Sequence, residues 1–113
     1  MWKNKLEILA KRYYLVLYDL DRTLVGFDSV DYLPNVQAYA KELGSLGVKQ
    51  VIVTNQGGPA CKDAGFKGNY PSVDEVKIRV ETVVAELGMK GGYISWAYQS
   101  KDGTHYYPVM DPP

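Results

Sequence analysis

Residues 14–25 read Tyr-Leu-Val-Leu-Tyr-Asp-Leu-Asp-Arg-Thr-Leu-Val. The stretch opens as a near-continuous apolar run, which predicts a strand over 13–19 that is buried on both faces, as in a parallel sheet. The run ends in two carboxylates, Asp19 and Asp21, whose side chains point the same way on an extended chain. Two acids at the tip of an apolar strand are costly unless a cation or a proton neutralises them. The pattern therefore suits a Mg²⁺ site with a carboxylate nucleophile.

A second segment, residues 48–58, reads Val-Lys-Gln-Val-Ile-Val-Thr-Asn-Gln-Gly-Gly. It predicts another apolar strand over 49–53, followed by Thr54 and a polar, glycine-rich turn. A hydroxyl, an amide and free backbone N–H groups after a strand make a cradle for an oxyanion. Helix-like residues separate the two segments, and a right-handed βαβ crossover would place the two strand tips side by side. Ligands of such sheets bind at the carboxyl ends of the strands.

With both strings in place, the chain resembles the haloacid dehalogenase (HAD) superfamily of phosphohydrolases. The matching residues are DLDRT at 19–23 and VIVTNQGG at 51–58. The second string is most similar to the small histidinol-phosphatase and heptose-bisphosphatase type, and to the phosphatase domain of polynucleotide kinase-phosphatases. The resemblance covers residues 13–100. It implies a Rossmann-like core, a three-layer α/β/α arrangement with a parallel sheet, which is incomplete at its C-terminal side.

The resemblance also implies roles for the residues of the two motifs. Asp19 would be the nucleophile that forms an aspartyl-phosphate, and Asp21 would be the general acid and then the base that activates water. Both would help to hold Mg²⁺, which suits oxygen ligands and phosphate substrates. Thr54 and the Asn55 backbone would bind phosphoryl oxygens. Arg22 replaces the glycine more usual in the family and would either meet substrate phosphate or lie solvated on the surface.

The remaining segments alternate between helix and strand. A capping box, Ser72 to Glu75, marks the start of the last helix. Residues 22–33 lie where the family has a helical turn and a hairpin flap, 56–71 predict a long loop, and 100–113 an irregular tail. The predicted elements are helices over 2–11, 34–46 and 72–87 and strands over 13–19, 49–53 and 93–98. This order argues for a parallel, doubly wound sheet.

The length and composition of the chain limit its possible domain organisation and function. The 113 residues predict a single small domain. Lys plus Arg equals Asp plus Glu, so there is no global basic field for nucleic acid. No apolar stretch is long enough for a transmembrane helix, and the N-terminal residues carry too many charges for a signal peptide. One cysteine, Cys61, excludes an internal disulfide framework and a cysteine zinc cluster. These features predict a cytoplasmic protein without a membrane partner.

Two further elements of HAD enzymes have no clear match in the sequence. A lysine neutralises the nucleophile and the phosphate, and an acidic pair completes the Mg²⁺ site. Lys90 and Lys101 are candidates for this lysine, but no surrounding motif supports either of them. Asp111 stands alone in the tail, without a second acid beside it. One such charge contact at ~4 Å and an effective dielectric near 20 is worth ~4 kcal/mol, roughly a thousandfold in rate.

Two functions follow from this pattern. The first is a Mg²⁺-dependent phosphomonoester hydrolase that acts on a phosphorylated small molecule or a nucleic-acid end. The second is a catalytically incomplete HAD-like fragment that binds phosphate or metal, or that self-assembles. The family places later strands beyond its first strand, and the sequence shows none. The strand over 13–19 would then have an unpaired edge, which predicts a homo-oligomer formed through it.

Overall fold

The computed structural model describes residues 2–27 and 29–109. It has a mixed α/β fold in which β1, β2 and β3 form a three-stranded parallel sheet in that order, and β4 pairs antiparallel with β5. None of the described helices is long and apolar enough to cross a membrane. The elements are α1 (Trp2–Arg12), β1 (Leu15–Tyr18), α2 (Val36–Ser45), β2 (Lys49–Asn55), α3 (Gly58–Asp63), α4 (Val73–Leu87), β3 (Gly91–Ser95), β4 (Tyr98–Gln99) and β5 (Tyr106–Tyr107).

The predicted helices are present, and two of their predicted ends are confirmed. The Ser72 hydroxyl lies 3.2 Å from the Glu75 backbone N–H that donates to it, so the capping box starts α4. Gly47 follows α2 with a φ of 84°, a left-handed conformation that glycine adopts without strain. The helix that was predicted to begin at Pro34 begins at Val36 instead. Asn35 precedes α2 in the left-handed region, which asparagine tolerates.

Other boundaries differ from the prediction. β2 runs on to Asn55, so Thr54 lies inside the strand rather than after it. The predicted loop over 56–71 contains α3, which has a proline in its first turn, where a missing N–H costs nothing. The predicted irregular tail contains β5, whose two residues are too few to show any periodicity in sequence.

Contacts between Cα atoms divide the chain into two compact units, one within 1–54 and 79–93 and the other within 55–78 and 94–113. The second unit contains α3, residues 73–78 of α4 and the β4–β5 pair. Its aromatic rings cluster: the Phe66 ring centroid lies 4.9 Å from that of Tyr107 and 5.8 Å from that of Tyr98, both edge to face. The buried residues described in this unit are Gln56, Pro59, Ala60, Cys61, Val76 and Val109.

In the first unit, the helices cover one face of the sheet. Val16 of β1 packs against a cluster of Leu6, Leu43 and Val48. The other end of the same face is so close to α4 that a Cβ on Gly92 would lie 2.5 Å from Val80 Cγ1. Successive right-handed crossovers in one direction place their helices on the same face, which explains this arrangement.

The opposite face of the sheet is open. Side chains alternate between the two faces along a strand, and on this face Leu15 is 49% exposed, Leu17 60%, Val53 47% and Tyr93 65%. The prediction that the first strand is buried on both faces is therefore wrong. Among the described residues of this unit, no second helical layer covers these side chains, so the predicted three-layer arrangement is replaced by two layers.

Candidate functional site

The carboxyl ends of β1 and β2 lie side by side. Tyr18, the last residue of β1, pairs with Ile52 of β2, and Thr54 follows two residues later. Asp19 directly follows β1, and the next residue, Leu20, is completely buried. Leu20 therefore anchors the chain at the point where the two predicted acids leave the strand. The crossover between the strands places Asp19 at the edge of the sheet where ligands of α/β proteins bind.

Asp19 is exposed, with one oxygen already oriented. Its Oδ1 accepts a hydrogen bond of 2.7 Å from the Leu20 backbone N–H. This contact fixes the carboxylate relative to the backbone of the turn. An exposed, oriented carboxylate can reach a ligand from solvent without first losing a buried partner.

Asp21 forms an ion pair with Arg79, a residue that is not among the predicted site residues. Arg79 Nη2 donates to Asp21 Oδ1, and the two side chains are 9% and 19% exposed, respectively. The same guanidinium donates from Nε to the Ser29 carbonyl at 2.6 Å and from Nη2 to the Gly26 carbonyl at 3.4 Å. Because carboxylate and carbonyl oxygens surround it, the charge of Arg79 is compensated although the side chain is buried.

The residues after Asp19 form a helical turn and then a hairpin, as expected for 22–33. Leu24 N–H donates to the Leu20 carbonyl at 3.0 Å, which closes one helical turn. Gly26 N–H then donates to the Asp31 carbonyl at 2.9 Å, and Leu33 N–H to the Leu24 carbonyl at 2.9 Å. Arg79 contacts this hairpin through two carbonyls, so one side chain links the hairpin to Asp21.

Arg22 lies in the helical turn with a φ of 63°. This left-handed conformation favours glycine and is uncommon for arginine. The Arg22 guanidinium carbon lies 5.1 Å from the centroid of the Phe27 ring, a cation–π distance. Phe27 is 69% exposed, so it is not an ordinary core residue of the hairpin. The two side chains together form an exposed cationic and aromatic surface beside the acids.

The two residues predicted to bind phosphate on β2 have different surroundings. Thr54 is 3% exposed and belongs to the first unit. Asn55 is exposed and belongs to the second unit. The surrogate lysines, Lys90 and Lys101, are both exposed, and Asp111 lies outside the described residues.

The donor set limits what metal ion this site suits. The described residues contain no group of three or more His, Cys, Asp or Glu side chains that could hold a metal ion. The two acids of the turn, one of them paired with Arg79, do not make an all-protein cage. They fit a Mg²⁺ ion held by one or two carboxylates, its own water and a substrate phosphate, which is how Mg²⁺ is commonly bound.

A signal for Arg79 is present in the sequence. The apolar stripe of α4 runs through Val76, Val80, Val83 and Leu87, all of them buried. Arg79 lies next to Val80 and three residues after Val76, on the same face of the helix. A charged residue within a buried stripe requires a buried partner of opposite charge. Its position therefore predicts an acid facing α4, although not which one.

Comparison of the chain with models of known protein families, with curated protein sequences and with solved structures gave no match.

Proposed function

We propose that this protein is a Mg²⁺-dependent phosphomonoester hydrolase of the HAD type that forms an aspartyl-phosphate on Asp19. The observation that carries the proposal is the exposed, oriented carboxylate of Asp19 at the carboxyl end of β1, directly beside the end of β2. The helical turn and hairpin that follow support it, because the HAD resemblance implies that succession after the nucleophile. The proposed substrate is a phosphorylated small molecule or a nucleic-acid end.

The proposed reaction has two displacements at phosphorus. An Asp19 carboxylate oxygen attacks phosphorus, and the bond from phosphorus to the leaving oxygen breaks with its electron pair on that oxygen. Water then attacks the phosphorus of the aspartyl-phosphate, which releases inorganic phosphate and restores the Asp19 carboxylate. A Mg²⁺ ion, when bound by Asp19 and Asp21, would neutralise charge on the phosphoryl oxygens. The Thr54 hydroxyl is the proposed donor to those oxygens.

The ion pair with Arg79 suits only one of the two roles proposed for Asp21. A carboxylate in contact with a guanidinium is held in its ionised form, which can accept a proton from the attacking water. The same carboxylate is a poor proton donor to the leaving oxygen in the first displacement. Arg79 also places a buried positive charge against Asp21, two residues after the proposed nucleophile, in a chain where the motif lysine has no match.

The same ion pair favours a second function. If Arg79 keeps Asp21 from taking part in either displacement, the site binds phosphate or a metal ion without turnover. The absence of a third acid near the pair, among the described residues, favours this function as well. In both cases we propose the cytoplasm as the compartment, since the only cysteine, Cys61, is an unpaired, buried thiol of the kind that a reducing compartment maintains.

The test is hydrolysis of 4-nitrophenyl phosphate with and without Mg²⁺ by the wild type, Asp19→Asn and Asp74→Asn. Asp19→Asn keeps the shape of the side chain and removes the nucleophilic charge. Asp74 is an exposed acid in the first turn of α4 and serves as the matched control. We expect Mg²⁺-dependent turnover that is lost in Asp19→Asn and retained in Asp74→Asn.

Two results would contradict the hydrolase. Equal turnover in the wild type and in Asp19→Asn would mean that Asp19 is not the nucleophile. No turnover in the wild type, together with binding of inorganic phosphate or Mg²⁺ by calorimetry that Asp19→Asn weakens, would establish the non-catalytic function instead.

A further inference from the structure

The outer edge of β1 has unpaired backbone groups. Lys49 N–H donates to the Tyr14 carbonyl at 2.8 Å, so the Tyr14 carbonyl points towards β2. The direction of backbone groups alternates along a strand, so those of Val16 also point towards β2. The N–H and C=O groups of Leu15 and Leu17 therefore point away from the sheet. β1 is the terminal strand of the described sheet, and these groups are available to another strand.

The edge lacks the features that keep edge strands apart in other proteins. Natural edges carry lysine, proline or a bulge, or lie under another segment. Residues 13–18 contain no charged residue and no proline. Leu15 is 49% exposed and Leu17 60%, although both are large apolar side chains. A smooth, apolar, unpaired edge of this kind favours pairing with a further strand.

An apolar cavity of about 500 Å³ runs along the same edge. It is lined by Leu15 and Leu17 from one face of β1, by Val16 and Tyr18 from the other, and by Leu6 and Leu9 of α1. A cavity that touches both faces of one strand lies along the edge of that strand. It therefore has room for the side chains of an added strand.

Charges at the two ends of β1 indicate what that strand is. Lys11 and Arg12 end α1 just before the strand, and Asp19 directly follows it; all three are exposed. An antiparallel copy of the same segment would bring the basic end of each copy to the acidic end of the other, twice by symmetry. A parallel copy would bring like charges together, which costs free energy.

We propose that β1 pairs antiparallel with β1 of a second copy, so that a two-fold symmetric dimer joins the two three-stranded sheets edge to edge. The pairing that places Leu15 opposite Leu17 of the second copy joins their outward backbone groups and buries both leucines. The interface is isologous, as a two-fold dimer requires. This proposal does not rest on the proposed function.

The first test is the mass of the full chain in solution, measured by light scattering across a dilution series. We expect a dimer with twice the 12.7 kDa of one chain that dissociates on dilution. Leu17→Lys, which places a charge at the edge, should give a monomer with unchanged circular dichroism. Val53→Lys is the control, because Val53 is 47% exposed on the same face but lies in the central strand.

The control separates an edge contact from a face contact. A dimer in Val53→Lys and a monomer in Leu17→Lys supports edge pairing. Dissociation by both variants would mean that the open face of the sheet, not the edge, forms the contact. A wild type that stays monomeric into the high micromolar range would overturn the proposal.

The second test concerns the charges. Arg12→Glu should lower the association constant by about five- to tenfold, since it turns two exposed attractions into repulsions. Arg12→Glu combined with Asp19→Arg exchanges the charges at the two ends of β1, so that opposite charges meet again in the dimer. We expect the association constant to return towards the wild-type value. If Arg12→Glu has no effect, or if the combined variant stays as weak as the single one, the antiparallel arrangement is wrong.

Discussion

Arg79 Nη2 donates to Asp21 Oδ1, which joins α4 to the turn that follows β1. The contact spans 58 residues of sequence. Because the guanidinium also holds the carbonyls of Gly26 and Ser29, it fixes the hairpin and the second acid at the same time. The stability of the first unit and the position of Asp21 in the candidate site therefore depend on the same side chain.

The first prediction concerns the stability that this pair provides. Arg79→Met keeps much of the apolar stem but leaves half-buried Asp21 without this cation, so we expect the free energy of unfolding to fall by about 3 kcal/mol. Asp21→Asn combined with Arg79→Met should cost clearly less than the sum of the two single changes. Urea denaturation of the four proteins measures this coupling.

The matched control is Lys41→Met, which removes an exposed cation from α2. We expect its effect on the free energy of unfolding to stay within about 0.5 kcal/mol, as at most surface positions. Additive effects of Asp21→Asn and Arg79→Met would contradict a direct interaction between the two side chains.

A second prediction concerns the leaving group and rests on the proposed hydrolase. Since Arg79 holds Asp21 as a carboxylate, the leaving oxygen departs without a proton from Asp21. We therefore expect kcat/KM to fall steeply from 4-nitrophenyl phosphate to phenyl phosphate to an alkyl phosphate. Arg79→Gln should flatten this dependence, because Asp21 can then carry a proton. A flat dependence in the wild type would contradict a purely ionised Asp21.

The positions of Asp19 and Asp21 could be predicted because they depend on local pattern. A strand fixes the direction of alternate side chains, and a short crossover places the next strand beside it. The partner of Asp21 could not be predicted in the same way. Its guanidinium lies on another helix, and nothing near Asp21 in the sequence specifies which cation packs against it. Whether these residues carry out phosphoryl transfer is still a prediction.

The two-layer arrangement was missed for a different reason. The apolar character of β1 is real, but an apolar strand is buried on both faces only where elements cover both. In the described part of the first unit, helices lie on one side, so Leu15 and Leu17 are exposed although their neighbour Val16 packs in the core. The unpaired edge was predicted correctly, because it depends on the order of the strands rather than on composition.

A third prediction concerns the hydrogen bonds that connect β1 to β2 and α2. The Tyr18 hydroxyl donates to Gln50 Oε1 at 2.9 Å, and Gln50 Nε2 donates to the Ala40 carbonyl at 2.9 Å, which connects β1, β2 and α2. Gln50 is 3% exposed, so Tyr18→Phe leaves a buried acceptor unsatisfied. We expect a loss of about 1–3 kcal/mol in the free energy of unfolding. Tyr14→Phe, at a residue that is 78% exposed, is the control and should have almost no effect.

A fourth prediction tests the packing of α4 on the sheet. A Cβ at Gly92 would lie 2.5 Å from Val80 Cγ1 and 3.4 Å from Val84 Cγ2, so Gly92→Ala forces the helix away from β3. We expect a loss of about 1–3 kcal/mol in the free energy of unfolding, as for overpacked cores. A Cβ at the neighbouring Gly91 meets no atom within 4 Å, so Gly91→Ala should be tolerated. Equal effects of the two changes would mean that strand flexibility, not the contact with α4, determines the loss.

The last prediction concerns pH. The Tyr32 hydroxyl donates to Glu86 Oε1 at 2.9 Å, which ties the hairpin to α4. Burial, then the hydrogen bond to Glu86 and its negative charge, raise the pKa of Tyr32 to about 12. An unfolded tyrosine has a pKa of about 10, so between about pH 10 and pH 12 the unfolded chain loses this proton while the folded chain keeps it. The contribution of Tyr32 to stability is therefore complete below about pH 10 and is lost as the pH rises to about 12.

Urea midpoints measured across this range should fall less steeply for Tyr32→Phe than for the wild type. Tyr106→Phe, at a residue that is 68% exposed, should keep the wild-type slope. Identical slopes for the wild type and Tyr32→Phe would mean that the hydroxyl does not hold its proton against Glu86.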